Sequence, residues 1–164
     1  MTNIATLRDR LAYNSETGAL TWRKNTRVTK AGKQVGGVNA HGYIVVSVSY
    51  KRLLAHRVAW AIHYGSMPTG IIDHRNGVRT DNRIENLREA TQSQNLCNRG
   101  AQKNNTSGYK GVSLNKRLQK WDARITVGKK QVCLGLFPTA KDAAEAYAVA
   151  AAKYHGEFAG VKPW

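Results

Sequence analysis

The sequence predicts an α+β protein built from two small units. The chain has 164 residues, which is enough for one ordinary domain or two small ones. Helical and extended patterns both occur along it, and a polar stretch, NRGAQKNNTSG, lies in its middle. We therefore expect a first unit over residues 1–98, a linker over 99–107 and a second unit over 108–164.

The first half of the chain combines two kinds of hydrophobic periodicity. Leu54, Val58 and Ile62 recur at helical spacing, and Gly65 follows them at a position suited to end a helix. The segment before them alternates and is rich in Val and Ile, which is typical of a strand. From such patterns we expect a helix over residues 4–12, a strand over 43–50, a helix over 53–64, a short strand at 71–72 and a helix over 91–98.

The second half repeats a simpler plan. Three short segments rich in β-branched and aromatic residues precede a long alanine-rich segment. Thr139 is suited to cap that segment as a helix. Small alanine side chains would allow the helix to lie close to a sheet. We therefore expect a three-stranded sheet packed on one helix, with strands over residues 109–114, 121–127 and 131–137 and a helix over 139–155.

The charge of the chain indicates a polyanionic partner. Lys and Arg number 26 against 10 Asp and Glu, which gives a formal net charge of +16. Nucleic acid is the commonest partner of such a surface, although ribosome-associated and membrane-surface proteins are also basic. The basic residues are spread through the chain between apolar ones. This distribution is typical of a folded surface that follows a phosphate backbone. A disordered basic arm would instead concentrate the charge in one segment.

Several classes of protein are not expected. No apolar run approaches the roughly 18 residues of a membrane span, and the N-terminus does not resemble a secretory signal. Cys97 and Cys133 form no C-x-x-C pair, so we do not expect a structural zinc knuckle. We expect a soluble protein of the cytoplasm that acts without a membrane or a small-molecule substrate.

The chemically informative segment runs from residue 71 to residue 98. Asp73 and His74 adjoin at the end of a predicted strand, Asn86 lies twelve residues beyond His74, and Asn95 lies nine further. Phosphodiester hydrolysis needs a base for water, a group that orients the base, and a cation for the developing charge. A histidine, an amide oxygen, and oxygen ligands for Mg²⁺ can fill these roles. The spacing makes this chemistry possible without proving it.

The same segment resembles the ββα-metal motif of HNH endonucleases. The residues DHRNGVRTDNRIENLREATQSQN carry the likeness, and LLAHRVAWAIHYG and YNSETGALTWR extend it toward the phage and intron homing endonucleases. The resemblance implies that His74 is the general base and that Asn86 orients its imidazole. It also implies that Asp73 and Asn95 bind one divalent cation, Mg²⁺ or Mn²⁺. Arg83 and Arg88 are candidates for phosphate contacts.

Each of these residues also has a structural interpretation. Asp73 could cap a turn, His74 could be a satisfied core histidine, and Asn86 and Asn95 could be loop or cap residues. Loop-shaping roles are expected for Asn76, Gly77, Asp81 and Asn82. For His56 we favour a buried or supporting role over a catalytic one.

The second half resembles the APETALA-type (ethylene-response-factor) DNA-binding domain. The matching segments are Y-K-G-V, K-W-D-A-R-I and L-G-L-F-x-T-A-x-D-A-A-x-A-Y. In that family a three-stranded sheet lies in the major groove and a helix supports it. The resemblance implies DNA contacts by Lys110, Arg117, Lys120, Arg124 and Lys130. Ser113, Thr126 and Cys133 replace residues typical of the plant domains, which puts plant-type sequence specificity in doubt.

Together these features predict a metal-dependent endonuclease for double-stranded DNA, acting as a monomer or weak dimer. It would nick or cut near a site bound by its second unit, as a phage-type homing endonuclease. One alternative is a catalytically inactive, sequence-specific DNA-binding regulator. A second is a basic structural or RNA-binding protein, which would explain the charge but not the spacing of the Asp, His and Asn residues.

Overall fold

The computed structural model of the protein describes residues 3–102 and 104–160. Helices and strands are mixed throughout these ranges, so the α+β class predicted from the sequence is confirmed. The chain divides into two compact units, one that ends at Thr91 and one that begins at Gln92. Each unit has its own sheets and its own hydrophobic clusters.

The first unit consists of short strands and two helices. All of its strand pairs are antiparallel: β1 pairs with β2, β4 lies between β3 and β5, and β6 pairs with β7. In chain order the elements are α1 (Ile4–Arg10), β1 (Leu11–Tyr13), β2 (Leu20–Trp22), β3 (Gly37–Val38), β4 (Ile44–Val48), β5 (Lys51–Leu54), α2 (Ala55–Tyr64), β6 (Ile71–His74) and β7 (Leu87–Ala90).

In the hairpin of β4 and β5, the bounds of a strand and of a helix differ from the predicted ones. The strand predicted to reach Tyr50 ends at Val48, because Ser49 and Tyr50 form a turn with positive φ angles of 50° and 62°. The helix predicted from residue 53 begins at Ala55, since Leu53 and Leu54 pair with β4. No Asn-Gly pair marks this turn, so the sequence lacked the usual signal for a two-residue hairpin loop.

Two hydrophobic clusters hold the first unit together. In the larger one, the apolar faces of α1 and α2 pack on the central strands, with Leu7, Leu11, Val46 and Val58 fully buried. The smaller cluster joins Ala59 of α2 to Ile72 of β6 and Leu87 of β7. An isolated two-stranded hairpin is marginally stable in water, so α2 is the support on which β6 and β7 depend.

The second unit contains the predicted sheet and helix. The three strands pair in the antiparallel order β10–β9–β8, and the side chain of Thr139 accepts a hydrogen bond from the Asp142 amide at the start of the long helix, as predicted. The buried alanines of that helix pack with Ala123 and Ile125 of the sheet. The elements are α3 (Gln92–Asn98), β8 (Val112–Asn115), β9 (Lys120–Val127), β10 (Lys130–Phe137) and α4 (Ala140–His155).

Helix α3, which we expected at the end of the first unit, groups with the second. The Gly160 amide donates to the Cys97 carbonyl at 3.2 Å. A Cβ at Gly160 would lie 2.3 Å from the Asn98 carbonyl oxygen, so only glycine permits this approach. The predicted linker also contains ordered structure, because the Asn105 carboxamide accepts from the Gly108 amide at 2.8 Å. Along the described residues, none of the helices has the length and apolarity needed to cross a membrane.

Gly18 provides a test of how the first unit is packed. Its φ is +73°, and an added Cβ would lie 2.6 Å from backbone atoms of both Asn82 and Arg83. Gly32 has a similar φ of +79° but open space around it. Alanine at either position strains the backbone by about 1 kcal/mol. Only Gly18→Ala also forces the segment around residue 18 away from the backbone of Asn82 and Arg83. We expect Gly18→Ala to lower the free energy of unfolding by at least about 2 kcal/mol more than Gly32→Ala. Urea denaturation of the two variants measures this difference, and equal losses would contradict the packing described.

Candidate active site

The predicted catalytic residues lie on and between strands β6 and β7. In this hairpin Asp73 is paired with Arg88 and His74 with Leu87. Residues 75–86 form the connecting loop, which includes a 3₁₀ turn at Ile84–Asn86. The side chains of Asp73 and His74 are buried where β6 ends and the loop begins.

Asn82 makes the hydrogen bond to the His74 ring. The Nε2 atom of His74 lies 3.1 Å from Oδ1 of Asn82, and both side chains are buried. The hydroxyl of Tyr13 donates to the backbone carbonyl of Asn82 at 2.7 Å, which fixes the loop against β1. The residue expected only to shape the loop therefore orients the imidazole.

Asn86, predicted to orient the imidazole, instead holds the loop closed. Its Oδ1 accepts from the backbone amide of Asn76 at 2.9 Å, and its Nδ2 donates to the backbone carbonyl of Asp81 at 2.7 Å. Both partners are backbone groups of the loop, so the predicted contact between Asn86 and His74 is wrong. The choice of Asn86 came from the resemblance to HNH endonucleases. The loop carries three asparagines, and the sequence does not show which of them contacts the ring.

A carboxylate stabilises the same loop. Asp81 accepts from the guanidinium of Arg83 at 2.9 and 2.8 Å and from the Asn76 carboxamide at 2.7 Å. The hydrogen bond from Arg83 is the main reason that the pKa of Asp81 falls to about 2. Arg83 also pairs with Glu85 at 2.8 Å. Its charge is therefore shared with two carboxylates, which weakens the predicted contact with phosphate.

Asp73 and Arg88 form a buried ion pair across the hairpin. The Nε and Nη2 atoms of Arg88 lie 2.9 and 2.8 Å from Oδ2 of Asp73. The exposed fraction is 5% for the Arg88 side chain and 6% for that of Asp73. Arg88 is therefore buried, whereas the predicted contact with phosphate would need it at the surface. Removing one partner of such a pair leaves a buried charge and costs about 3–5 kcal/mol. Arg88 holds the carboxylate that was predicted to bind metal.

Three aromatic rings pack together at the site. His56 lies near the start of α2, and its ring centroid is 5.0 Å from that of His74, with an angle of 82° between the two ring planes. The ring centroid of Tyr43 lies 5.4 Å from that of His56 and 6.1 Å from that of His74. Burial lowers the pKa of His74, an effect that the Asn82 hydrogen bond partly opposes, and burial also lowers the pKa of His56 to about 3. His56 is therefore neutral at pH 7, and the shift of His74 also favours the neutral form.

The predicted DNA-binding residues of the second unit fall into distinct settings. Arg117, Lys120 and Arg124 are exposed, and Arg124 shares its charge with Asp122 at 2.8 Å. Arg124 lies on the open face of the sheet, opposite the face that packs on α4, whereas Lys130 is in register with Val127 on the α4 side. Lys130 was predicted to face DNA with Arg124, and this register contradicts that placement.

Lys110, also predicted to contact DNA, points its ammonium toward α3. Its ammonium donates to the carbonyl of Cys97 in α3, and burial lowers its pKa. This contact ties Lys110 to α3 within the second unit, and its contact with DNA stays a prediction.

Comparison with known proteins identifies the family. A sequence profile described as HNH endonuclease matches residues 53–97, the segment that contains His56, Asp73, His74 and the loop residues Asn82 and Asn86. Protein 3.8 of Escherichia phage T7 is 36% identical over 83 residues, which is 50% of this chain and 69% of the phage protein. The chain belongs to the HNH endonuclease family. The matched segment includes the β6–β7 hairpin with its connecting loop, which we call the HNH site.

Other similarities concern the second half or the whole chain. AP2-like ethylene-responsive transcription factors AIL7 and PLT2 of Arabidopsis thaliana are 44% identical over 50 and 52 residues. These matches cover 29% and 30% of this chain but only 10% and 9% of the plant proteins. A solved structure titled "DNA binding and cleavage by the HNH homing endonuclease I-HmuI" aligns over 94% of this chain and 90% of its own, with TM-score 0.44 and 22% identity.

The donors at the HNH site fit a hard divalent cation. Magnesium binds through one or two protein oxygen ligands together with water and substrate phosphate, so it needs no dense cluster of acidic side chains. In the described part of the chain, no group of three or more His, Cys, Asp and Glu is placed to hold a metal ion. Asp73 supplies one carboxylate of this kind, whereas Asn95, the second predicted ligand, lies on α3, which groups with the second unit.

The low pKa of His56 predicts an acid-sensitive fold. In the unfolded chain this histidine has a pKa near 6.5, whereas in the folded chain it is about 3. The unfolded state therefore binds more protons below pH 6.5, and stability is lost as the pH falls toward 3. Between pH 6.5 and 5 the free energy of unfolding should fall by about 2 kcal/mol through His56 alone.

Denaturation of wild type and of His56→Leu at pH 7.5 and pH 5 measures this loss. The variant should lose less stability than wild type over the same interval. His63→Leu, which removes an exposed histidine from the same helix, should behave as wild type. An unchanged pH dependence in His56→Leu would contradict the buried, neutral state of His56.

Proposed function

We propose that this chain is a metal-dependent endonuclease that hydrolyses phosphodiester bonds in double-stranded DNA. The observation that carries the proposal is the state of His74, which is buried, shifted toward the neutral form and hydrogen-bonded to Asn82. It adjoins Asp73 within the segment that matches the HNH profile. A neutral, oriented imidazole beside a carboxylate is suited to general-base catalysis on an attacking water.

The hydrogen bond to Asn82 assigns a role to each nitrogen of the His74 ring. An amide oxygen only accepts, so Nε2 carries the proton and Nδ1 carries the lone pair of the neutral ring. Nδ1 takes a proton from water as the water oxygen bonds to phosphorus and the bridging oxygen leaves. Asn86 contributes indirectly, because it closes the loop that carries Asn82.

Asp73 and Asn95 would hold the divalent cation, Mg²⁺ by preference and Mn²⁺ as an alternative. When bound, the cation supplies positive charge that stabilises the phosphorane and the leaving oxygen. The Arg88 guanidinium fixes the Asp73 carboxylate in one orientation before any ligand arrives. This fixed orientation reduces the entropy that binding would otherwise cost.

The second unit would supply much of the affinity for duplex DNA. Arg117, Lys120 and Arg124 are its exposed predicted contacts, and the net charge of +16 favours a phosphate backbone. Joining this unit to the HNH site in one chain raises the effective concentration of DNA at the active site. We infer that the protein nicks or cuts close to the sequence that its second unit binds, in the manner of a phage-type homing endonuclease.

A monomer or weak dimer in the cytoplasm of a bacterial or phage-infected cell would suffice for this activity. A DNA-binding regulator without nuclease activity is the second candidate. It is favoured by the 44% identity between part of the second unit and plant transcription factors.

Cleavage of supercoiled plasmid tests the proposal. Wild type with Mg²⁺ should convert the plasmid to nicked or linear DNA, and EDTA should abolish the conversion. His74→Ala should lower the cleavage rate by about 10²- to 10⁴-fold, the usual contribution of a general base, while DNA affinity stays nearly constant. His63→Ala removes an exposed histidine and serves as the matched control, with cleavage at the wild-type rate.

Three results would contradict the proposal. Equal loss of DNA binding and cleavage in His74→Ala would make His74 a structural residue. Retained duplex binding without cleavage by wild type, on plasmid and on phage and host DNA alike, would favour the regulator. Tighter binding of single-stranded RNA than of duplex DNA would instead support an RNA-binding protein.

A further inference from the structure

His56 is a buried polar residue that the proposed chemistry does not use. It lies near the start of α2, and only 5% of it is exposed. Its Nδ1 atom is fully buried and has no hydrogen-bond partner within residues 3–102 and 104–160. A buried nitrogen without a partner costs about 1–3 kcal/mol of stability. A leucine or phenylalanine would fill similar space without that cost, so packing alone does not explain a histidine here.

The surroundings of His56 point to the purpose of the ring. Its centroid lies 5.0 Å from that of His74, and the two planes meet at 82°, an edge-to-face contact. The ring of Tyr43 packs beside both imidazoles, with centroid distances of 5.4 Å to His56 and 6.1 Å to His74. The guanidinium of Arg79 lies 5.0 Å from the Tyr43 ring centre and donates to the His41 carbonyl, so Tyr43 is held in place.

These contacts restrict the rotation of His74. The hydrogen bond from Nε2 to Asn82 fixes one nitrogen of the ring. The edge-to-face contact with His56 limits how far the plane of the ring can turn. Catalysis by a general base is sensitive to such positioning, and a displacement of about 1 Å can lower a rate about 10²-fold.

We propose that His56 is a positioning residue, whose imidazole holds the ring of His74 in the single orientation in which His74 acts as the base. The inference rests on the proposed nuclease function. Burial keeps His56 neutral, with a pKa near 3, so the contact persists across the pH range in which DNA cleavage would be measured. The unpartnered Nδ1 is then a stability cost that a functional position tolerates.

Three variants separate positioning from packing. His56→Leu removes the ring and the buried nitrogen while keeping apolar volume, and His56→Phe restores an aromatic ring. His63→Leu is the matched control, because His63 lies on the same helix and makes a similar contact with Tyr64 at 4.7 Å and 82°, away from His74.

We expect His56→Leu to cleave plasmid about 10- to 100-fold more slowly at saturating DNA, with unchanged affinity and a Tm at or above that of wild type. His56→Phe should recover much of the rate, and His63→Leu should match wild type. A purely structural role would make activity follow Tm. Wild-type rates in both His56 variants, or a rate loss accompanied by an equal loss of folded protein, would overturn the proposal.

Nuclear magnetic resonance of ¹⁵N-histidine gives a readout that does not depend on cleavage. In wild type, His74 should show one tautomer, with Nε2 protonated. In His56→Leu its two nitrogen shifts should move toward the average of the two tautomers, while the signals of His41, His63 and His155 stay fixed.

The two readouts fail separately. If wild type shows no cleavage but the His74 shifts change as expected, the nuclease function fails and the positioning role stands. If cleavage by wild type is found and the His74 shifts in His56→Leu stay unchanged, the positioning role fails alone.

Discussion

The geometry of the HNH site depends on one buried hydrogen bond, between Nε2 of His74 and the carboxamide oxygen of Asn82. A histidine used as a base has to be neutral, and burial favours that state by lowering its pKa. Burial also removes the water that would otherwise satisfy the ring, so a protein acceptor is needed in its place. Tyr13, which donates to the backbone of Asn82, and Gly18, which lets the chain approach it closely, both hold that acceptor in position.

The hairpin that carries His74 is too small to support a buried polar site by itself. Helix α2 supplies the missing support, because Ala59 packs on the hairpin while His56 packs on the ring of His74. The ion pair between Asp73 and Arg88 then fixes the neighbouring carboxylate. A single helix thus links the hydrophobic core of the first unit to the geometry of the base. This arrangement explains how a small unit can keep several polar groups buried at one place.

Much of this structure could be predicted from the sequence, and the failures have two physical causes. Periodicity identified α2 and α4 and the three strands of the second unit, since each depends on local spacing and caps. It missed β5, because a turn at Ser49 and Tyr50 carries no glycine. The family resemblances pointed to Asn86 rather than Asn82 for the contact with His74, and they placed Arg88, Lys110 and Lys130 among the contacts to DNA. Tertiary contacts decide which of several similar polar residues faces inward, and a resemblance does not show them.

The most direct test of the central claim compares cleavage rates and thermal stability of Asn82→Ala and Asn86→Ala. Loss of a group that orients a catalytic or metal-binding histidine typically costs about 10- to 100-fold in activity. We expect Asn82→Ala to show that loss in rate with unchanged DNA affinity, and Asn86→Ala to lose mainly stability, because its partners are backbone groups of the loop. A wild-type rate in Asn82→Ala, or a rate loss confined to a fully stable Asn86→Ala, would contradict the account.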